Sequence, residues 1–162
     1  MLLSGCDSEK PIPTSRLVQQ AGQFSFVTPD GWFRTQLSGV NFIIVSTEPD
    51  FGAVPNIFVE SVEKSTELSN AVSKLIKNKK DNHPTYKVSQ QRDFVTESGL
   101  KAIKISARRN NGDALPLALF HYLIQDGDRV IVINCLSAYR VRQKYEPIFD
   151  TAMKSLRSDR AG

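Results

Sequence analysis

Residues 115–138 read LPLALFHYLIQDGDRVIVINCLSA and contain two apolar runs separated by Asp126-Gly127. Because the Asp-Gly pair favours the tight turn of a β-hairpin, we predict two antiparallel strands with Asp126-Gly127 as the two residues at the tip. Side chains alternate along a strand, so the first run has two apolar faces: Leu117, Leu119 and Leu123 on one, and Phe120, Tyr122 and Ile124 on the other. A strand that is apolar on both faces needs cover on both sides of its sheet.

Two segments with helical periodicity can supply that cover. In residues 67–80 the apolar side chains recur on one helical face, with Ser65 or Thr66 as the N-cap and Asn82-His83-Pro84 after the end. A second apolar pattern lies within residues 138–157. Pro147 interrupts it, so we predict that the main helix begins at about Glu146, with the proline in its first turn.

The remaining strand signals are shorter, and turns separate them. Thr28-Pro29-Asp30-Gly31 predicts a tight turn, and Glu97-Ser98-Gly99 predicts another. The further strand segments are QFSFV, WFRTQL, VNFIIVST, IFVESVE, YKVSQQRDFVT and LKAIKISARR. Together these patterns predict an α+β fold in residues 23–158: a mainly antiparallel sheet with a helix on each face.

The N-terminal stretch Leu3-Ser4-Gly5-Cys6 resembles the lipobox of bacterial lipoproteins. This resemblance implies that the thiol of Cys6 carries a lipid, that residues 1–5 are the remnant of a signal peptide, and that residues 6–22 form a flexible tether. A complete signal peptide has an apolar region of about 7–15 residues. Only Met1, Leu2 and Leu3 precede the small residues of the box here, so we expect the natural protein to start upstream.

Composition and motifs argue against several classes of function. A net charge of +4 is too small to indicate nucleic-acid binding. The sequence has no Gly-rich phosphate loop, no nucleophile elbow and no HExxH motif. We therefore expect no enzymatic activity, no cofactor and no metal. His83 with Asp81 would supply only two metal ligands, and Cys135 fits a small buried hydrophobic residue better than a catalytic thiol or a disulfide partner of Cys6.

Three segments resemble the PsbP/Mog family of α/β/α sandwiches. They are residues 26–32 (FVTPDGW), the buried hairpin at 119–137, and the final helix from Glu146-Pro147 to Ser155-Leu156, where Leu156 replaces an aromatic residue. The resemblance implies the sandwich fold. It implies no catalytic site, because the members of the family have diverse partners and no catalytic site in common.

These observations lead to a functional expectation and an alternative. We expect a non-catalytic lipoprotein on the periplasmic or lumenal face of a bacterial membrane, held to the bilayer through Cys6. It would act as a peripheral subunit or assembly factor of an integral membrane protein complex, for which the resemblance suggests a photosynthetic one. The expected contact residues are Arg108 and Arg109 in a hairpin loop, and Arg140 and Arg142 near the last helix. The alternative is a small-ligand module with a pocket lined by Trp32, Phe51 and residues 49–56.

The basic residues of the last helix region have two possible interpretations. Residues 138–160 contain six Lys or Arg residues and three acidic residues. Such a basic face can serve solubility alone, or it can be attracted to anionic lipid headgroups near the tether.

Overall fold

The hairpin of residues 115–138 forms the centre of a seven-stranded antiparallel sheet. The computed structural model describes residues 17–19, 23–35, 43–65, 67–112 and 115–160. Its elements in chain order are β1 (Leu17–Gln19), β2 (Phe24–Phe26), β3 (Phe33–Thr35), β4 (Ile43–Val45), β5 (Asn56–Lys64), α1 (Leu68–Asn82), β6 (Lys87–Val95), β7 (Lys101–Asn111), β8 (Leu115–Asp126), β9 (Arg129–Ala138), α2 (Arg142–Lys154) and β10 (Arg157–Ser158). The order in the large sheet is β3-β4-β5-β9-β8-β7-β6, which makes β9 the middle strand.

Each face of the sheet is covered by one helix, as the two apolar faces of β8 predict. On one face, Phe149 and Met153 of α2 join the cluster that contains Tyr122 and Ile133. On the other, Ala71, Val72 and Leu75 of α1 pack with Leu123, Val130 and Val132. Burying a large aliphatic or aromatic side chain stabilises the fold by about 1.5–3 kcal/mol. These two cores therefore hold the helices to the sheet, and they confirm the predicted sandwich.

The tip of the central hairpin differs by one residue from the prediction. Asp126 pairs with Arg129, so the two loop residues are Gly127 and Asp128 rather than Asp126 and Gly127. Gly127 has a φ of 63°, which an L side chain rarely adopts. The carboxylate of Asp126 remains at the strand end, where it accepts hydrogen bonds from Arg129 (2.8 Å) and Ser158 (3.0 Å). Gly127 thus occupies the position that needs a positive φ, and the Asp126 carboxylate binds the C-terminal segment through Ser158.

The helix boundaries correct two predictions. Helix α1 begins at Leu68 with Glu67 as the N-cap and no side-chain cap, because the Ser65 hydroxyl bonds instead to the backbone of Glu67. Thr66 lies outside the described residues. Helix α2 begins at Arg142 and continues through Pro147, so the prediction of a start at Glu146 is wrong. The proline deprives the Gln143 carbonyl of its N–H partner, but both residues are exposed, so water can satisfy that carbonyl.

A buried lysine fixes α2 to the sheet. Lys104 of β7 has no exposed side-chain surface, and its Nζ lies 2.6 Å from Glu146 and 2.7 Å from Asp150 of α2. The Tyr122 hydroxyl donates a further hydrogen bond of 2.6 Å to Asp150. A charge in this position is tolerated only because two carboxylates and two aromatic rings surround the ammonium group.

A small second sheet, with strand order β1-β2-β10, adjoins α2. Strand β1 falls within residues 6–22, where we predicted a tether, and pairs antiparallel with β2. Phe24 and Phe26 of β2 are both only 1% exposed and belong to the α2 core. Cys6, by contrast, lies outside the described residues. Among the described residues, no helix has the length and apolar character needed to cross a membrane.

Candidate functional site: an arginine–aromatic surface

The four arginines expected to contact a partner do not form one group. Strand β7 continues to Asn111, so Arg108 and Arg109 belong to a strand, and their predicted placement in a hairpin loop is wrong. Neighbouring residues of a strand point to opposite faces. Arg108 accordingly lies on the α2 side and Arg109 on the α1 side, so the two side chains contact different parts of the structure.

Arg108 and Arg142 meet on one aromatic ring. The guanidinium carbon of Arg108 lies 4.4 Å from the ring centroid of Tyr139, and that of Arg142 lies 4.0 Å from it. A short 3-10 turn, Tyr139–Val141, places the tyrosine directly after β9, and Nη1 of Arg142 donates a 3.0 Å bond to the tyrosine carbonyl. The turn brings two arginines that are 34 positions apart into one stacked arrangement.

Arg140 stacks on a second aromatic side chain, Phe51, at 4.7 Å from its ring centroid. Phe51 is 54% exposed and sits in the turn between Asp50 and Ala53, whose two central residues both have positive φ. That conformation costs a non-glycine residue about 1 kcal/mol, and such strain is concentrated at functional positions. We call Phe51, Arg108, Tyr139, Arg140 and Arg142 the arginine–aromatic surface.

The Phe51 turn is held in place by α2. The carboxylate of Asp50 accepts hydrogen bonds of 2.7 Å from Lys144 and of 2.7 Å from the Tyr145 hydroxyl. These two bonds, the one from Lys144 first, lower the pKa of Asp50. The exposed phenylalanine is thus presented by an anchored turn.

The surface carries unbalanced positive charge. Within the described part of the chain, Arg108, Arg140 and Arg142 form no ion pair with a carboxylate. Lys87 of β6 lies directly opposite Arg108 in the register, and both line a surface depression of about 480 Å³. Like charges facing each other across a strand pair disfavour folding. An anionic group placed there would relieve this repulsion.

Arg109 lies apart from the arginine–aromatic surface and contacts His83 beside the end of α1. Its Nη1 lies 2.9 Å from Nδ1 of the imidazole. Burial, and then the nearby Arg109 charge, lower the pKa of His83. Asp81 pairs with Lys77 at 2.6 Å, and among the described residues no three His, Cys, Asp or Glu side chains are grouped to hold a metal ion.

Two other residues considered from the sequence are buried. Cys135 is a free thiol with no exposed surface, and burial raises its pKa well above the ordinary value, which confirms its role as a small core residue. His121 has no exposed surface either, and its Nδ1 lies 2.5 Å from Oδ1 of Asn134. Neither side chain is accessible to a substrate.

The pocket of the small-ligand alternative is not formed as predicted. Trp32 lines a groove of about 660 Å³, but the other wall is α2, with Pro147, Ile148 and Thr151, rather than Phe51 and residues 49–56. Trp32 also packs against Phe149, with ring centroids 6.0 Å apart. Phe51 belongs to the arginine–aromatic surface instead.

Sequence reasoning missed Tyr139, which belongs to the arginine–aromatic surface, and Lys87, which lies beside its Arg108. Tyr139 and Arg142 are three residues apart at the start of a helical segment, a spacing that makes side chains neighbours. That signal was available in the sequence. The positions of Lys87 and Arg108 depend on the register of β6, β7 and β8, which no local pattern contains.

Solved structures with this fold include three proteins of different origin. Cyanobacterial PsbP (CyanoP) from Synechocystis sp. PCC 6803 has a TM-score of 0.68 at 16% identity, over 96% of this chain and 98% of that one. LpqN of Mycobacterium tuberculosis, involved in cell envelope biogenesis, has a TM-score of 0.59 at 18% identity, over 82% and 81%. The Ran-binding protein Mog1p of Saccharomyces cerevisiae has a TM-score of 0.60 at 9% identity, over 89% and 94%.

No protein-family model matches the chain, and neither does any curated protein sequence. The structural likenesses show that the chain has the PsbP/Mog-like fold, which confirms the resemblance predicted from residues 26–32, 119–137 and 146–156.

Proposed function

We propose that this chain is a non-catalytic interaction module that binds an acidic region of an integral membrane protein complex through its arginine–aromatic surface. The observation that carries the proposal is the stacking of three arginines without carboxylate partners on Tyr139 and Phe51. Arginine and aromatic residues are enriched at protein interfaces, and a guanidinium binds a carboxylate through two parallel hydrogen bonds.

The rigidity of the surface supports the same function. Stacking on an aromatic ring contributes about 0.5–1 kcal/mol at an exposed site and limits the rotamers of the long arginine side chain. Fewer rotamers are then lost when a partner binds, which improves affinity. Mog1p, which shares the fold, is a Ran-binding protein, so this fold can carry a protein-binding surface.

We further propose that Cys6 is lipidated and holds the domain at the extracytoplasmic face of a bacterial membrane. The support is the Leu3-Ser4-Gly5-Cys6 stretch. The likeness to cyanobacterial PsbP makes a photosynthetic complex one candidate partner. Expression of the gene with its upstream region and labelling with an alkyne fatty acid would test the anchor. We expect label on the wild type and none on the Cys6→Ser variant; label that persists in the variant would refute lipidation at Cys6.

Charge reversal tests the docking surface. The double variant Arg108→Glu/Arg142→Glu should recover at most about a tenth of the partner that the wild type recovers from detergent-solubilised membranes, and the wild-type recovery should fall as salt is raised. The matched control is Lys80→Glu/Lys101→Glu, which changes the net charge equally at exposed positions elsewhere. The control should bind like the wild type.

Two results would contradict this proposal. Equal recovery by both double variants would show that the arginine–aromatic surface is not the contact. Binding of the wild type to vesicles with anionic phospholipid, lost on reversal, without any protein recovered, would assign the surface to lipid headgroups instead. Thermal unfolding of both variants must remain cooperative and well above the assay temperature, so that a loss of recovery reports a lost contact rather than unfolding.

A further inference from the structure

We propose that the groove beside Trp32 is a second binding site, for a peptide segment of a partner that combines apolar side chains with a lysine or arginine. The groove has a volume of about 660 Å³ and lies between the turn that follows β2 and the outer side of α2. This volume falls within the range of about 300–1,000 Å³ that is typical of ligand sites.

The walls of the groove are apolar and firmly held. The apolar residues in the lining include Trp32, Pro147 and Ile148, with Val27 and Ala152 beside them. The Trp32 backbone N–H donates to the Pro29 carbonyl at 3.1 Å, which closes the turn. The indole ring packs against Tyr145 and Phe149 of α2, so its orientation is set before any ligand arrives.

The rim of the groove has the opposite charge from the arginine–aromatic surface. Asp30 and Glu97 line the groove and are exposed, and across the described ranges neither carboxylate forms an ion pair. The hydroxyl oxygen of Thr28, also in the lining, is buried and has no hydrogen-bond partner. Two free carboxylates beside an apolar floor complement a ligand that is apolar on one side and cationic at one point.

The shape of the groove favours a peptide over an enclosed small molecule. Five of its lining residues (Val27, Asp30, Glu97, Pro147 and Thr151) are exposed, so the groove is open along its length. An extended chain can lie in such a groove and insert alternate side chains between Trp32 and α2. An amphiphilic amine has similar chemistry and is therefore the alternative that the experiment must separate.

Trp32 gives a direct readout, because it is the only tryptophan in the chain. We would titrate the full chain with three blocked peptides, acetyl-Leu-Phe-Lys-Leu-Phe-amide and its versions with Gln or Glu in place of Lys. The Lys peptide should shift the Trp32 emission and bind about threefold to tenfold more tightly than the Glu peptide, with a smaller ratio at high salt. The double variant Asp30→Asn/Glu97→Gln should bind all three peptides equally.

A steric variant and its control localise the binding. Thr151→Arg places a long cationic side chain in the groove from an exposed helix position and should abolish binding. Ser73→Arg makes the same kind of change at an exposed position of α1 and should leave binding unchanged. The Arg108→Glu/Arg142→Glu variant should also bind the peptides normally, so this site and the arginine–aromatic surface can fail independently.

The proposal is overturned by any of the following results. The first is an unchanged Trp32 emission at peptide concentrations up to about 1 mM, a limit that corresponds to very weak binding. The second is equal affinity of the wild type for the Lys and Glu peptides, or full binding by Thr151→Arg. The third is a response to dodecylamine but to none of the peptides, which would assign the groove to an amphiphilic amine.

Discussion

Acid should destabilise this domain through one histidine, His121. The imidazole lies in β8 on the α1 face with no exposed surface. Because the Oδ1 carbonyl of Asn134 can only accept, Nδ1 of the histidine carries the proton, and Nε2 is the basic atom. Nε2 is buried without a hydrogen-bond partner. Burial is the main reason that the pKa of His121 is lowered to about 4; the bond to Asn134 opposes it, and the Lys79 charge adds to it.

The size of this loss in the free energy of unfolding follows from proton linkage. The pKa of an unfolded histidine is about 6.5, so between that value and about 4 the unfolded chain binds a proton that the folded chain excludes. The stability contribution of neutral His121 is complete above pH 6.5 and is lost as the pH falls toward 4. At 1.36 kcal/mol per pH unit, the free energy of unfolding should fall by about 2 kcal/mol from pH 7.5 to 5.0 and by about 3 kcal/mol at pH 4.

Urea denaturation at several pH values, followed by Trp32 fluorescence and circular dichroism, measures this loss. The interval from pH 7.5 to 5.0 is the informative one, because most carboxylates remain ionised there. The His121→Gln variant cannot titrate, so it should lose about 2 kcal/mol less than the wild type over that interval, whatever its own stability. His83, the only other histidine, remains in both proteins and cancels in the comparison. If wild type and variant lose stability equally between pH 7.5 and 5.0, the reasoning is refuted.

Three further substitutions test the core, the buried ion cluster and the hairpin. Val132→Asp places an unpaired charge at a position that is 3% exposed and should abolish cooperative melting. The control variant Val62→Asp, at a position that is 38% exposed, should still fold. A Val132→Asp protein that melts cooperatively would contradict the central place of β9 in the sheet. Lys104→Met leaves Glu146 and Asp150 without their buried cation and should cost roughly 2–4 kcal/mol in urea denaturation, and a loss below about 1 kcal/mol would show that the cluster does not fix α2. Gly127→Ala should cost about 1 kcal/mol through its φ of 63° alone, since no atom lies within 4 Å of the added methyl group, and an unchanged melting temperature would exclude this strain.

Much of the architecture could be predicted because it rests on local periodicity. The alternation of Leu119, Phe120, Leu123 and Ile124 placed two apolar faces on β8, and the structure covers each face with one helix. The Pro-Asp-Gly and Asp-Gly stretches marked turns because positive φ favours glycine at these positions. The boundaries of the elements were predicted less well. The loop of the central hairpin is shifted by one residue from the prediction. Helix α2 passes through Pro147 instead of beginning beside it, because water can satisfy the Gln143 carbonyl that the proline leaves without a partner.

The candidate site, too, was predictable only in those features that depend on local sequence patterns. Its arginines could be chosen from composition and position, but Arg108 and Arg109 were placed together in a loop. Only the continuation of β7 to Asn111 shows that they point to opposite faces of the sheet. The stacking of Arg108 on Tyr139 depends on a register across three strands, and the pairing of Arg140 with Phe51 depends on a turn held by α2.

The sequence by itself determined which residues alternate, which segments form helices and which faces must be buried, because these properties depend on neighbours within a few positions. The tertiary structure alone decided that Lys104 is buried between two carboxylates, that β1 pairs with β2 in a separate small sheet, and that Trp32 faces α2 rather than Phe51. These arrangements join residues that are distant in the chain. They are fixed by strand register and helix packing, which arise only when the whole core forms.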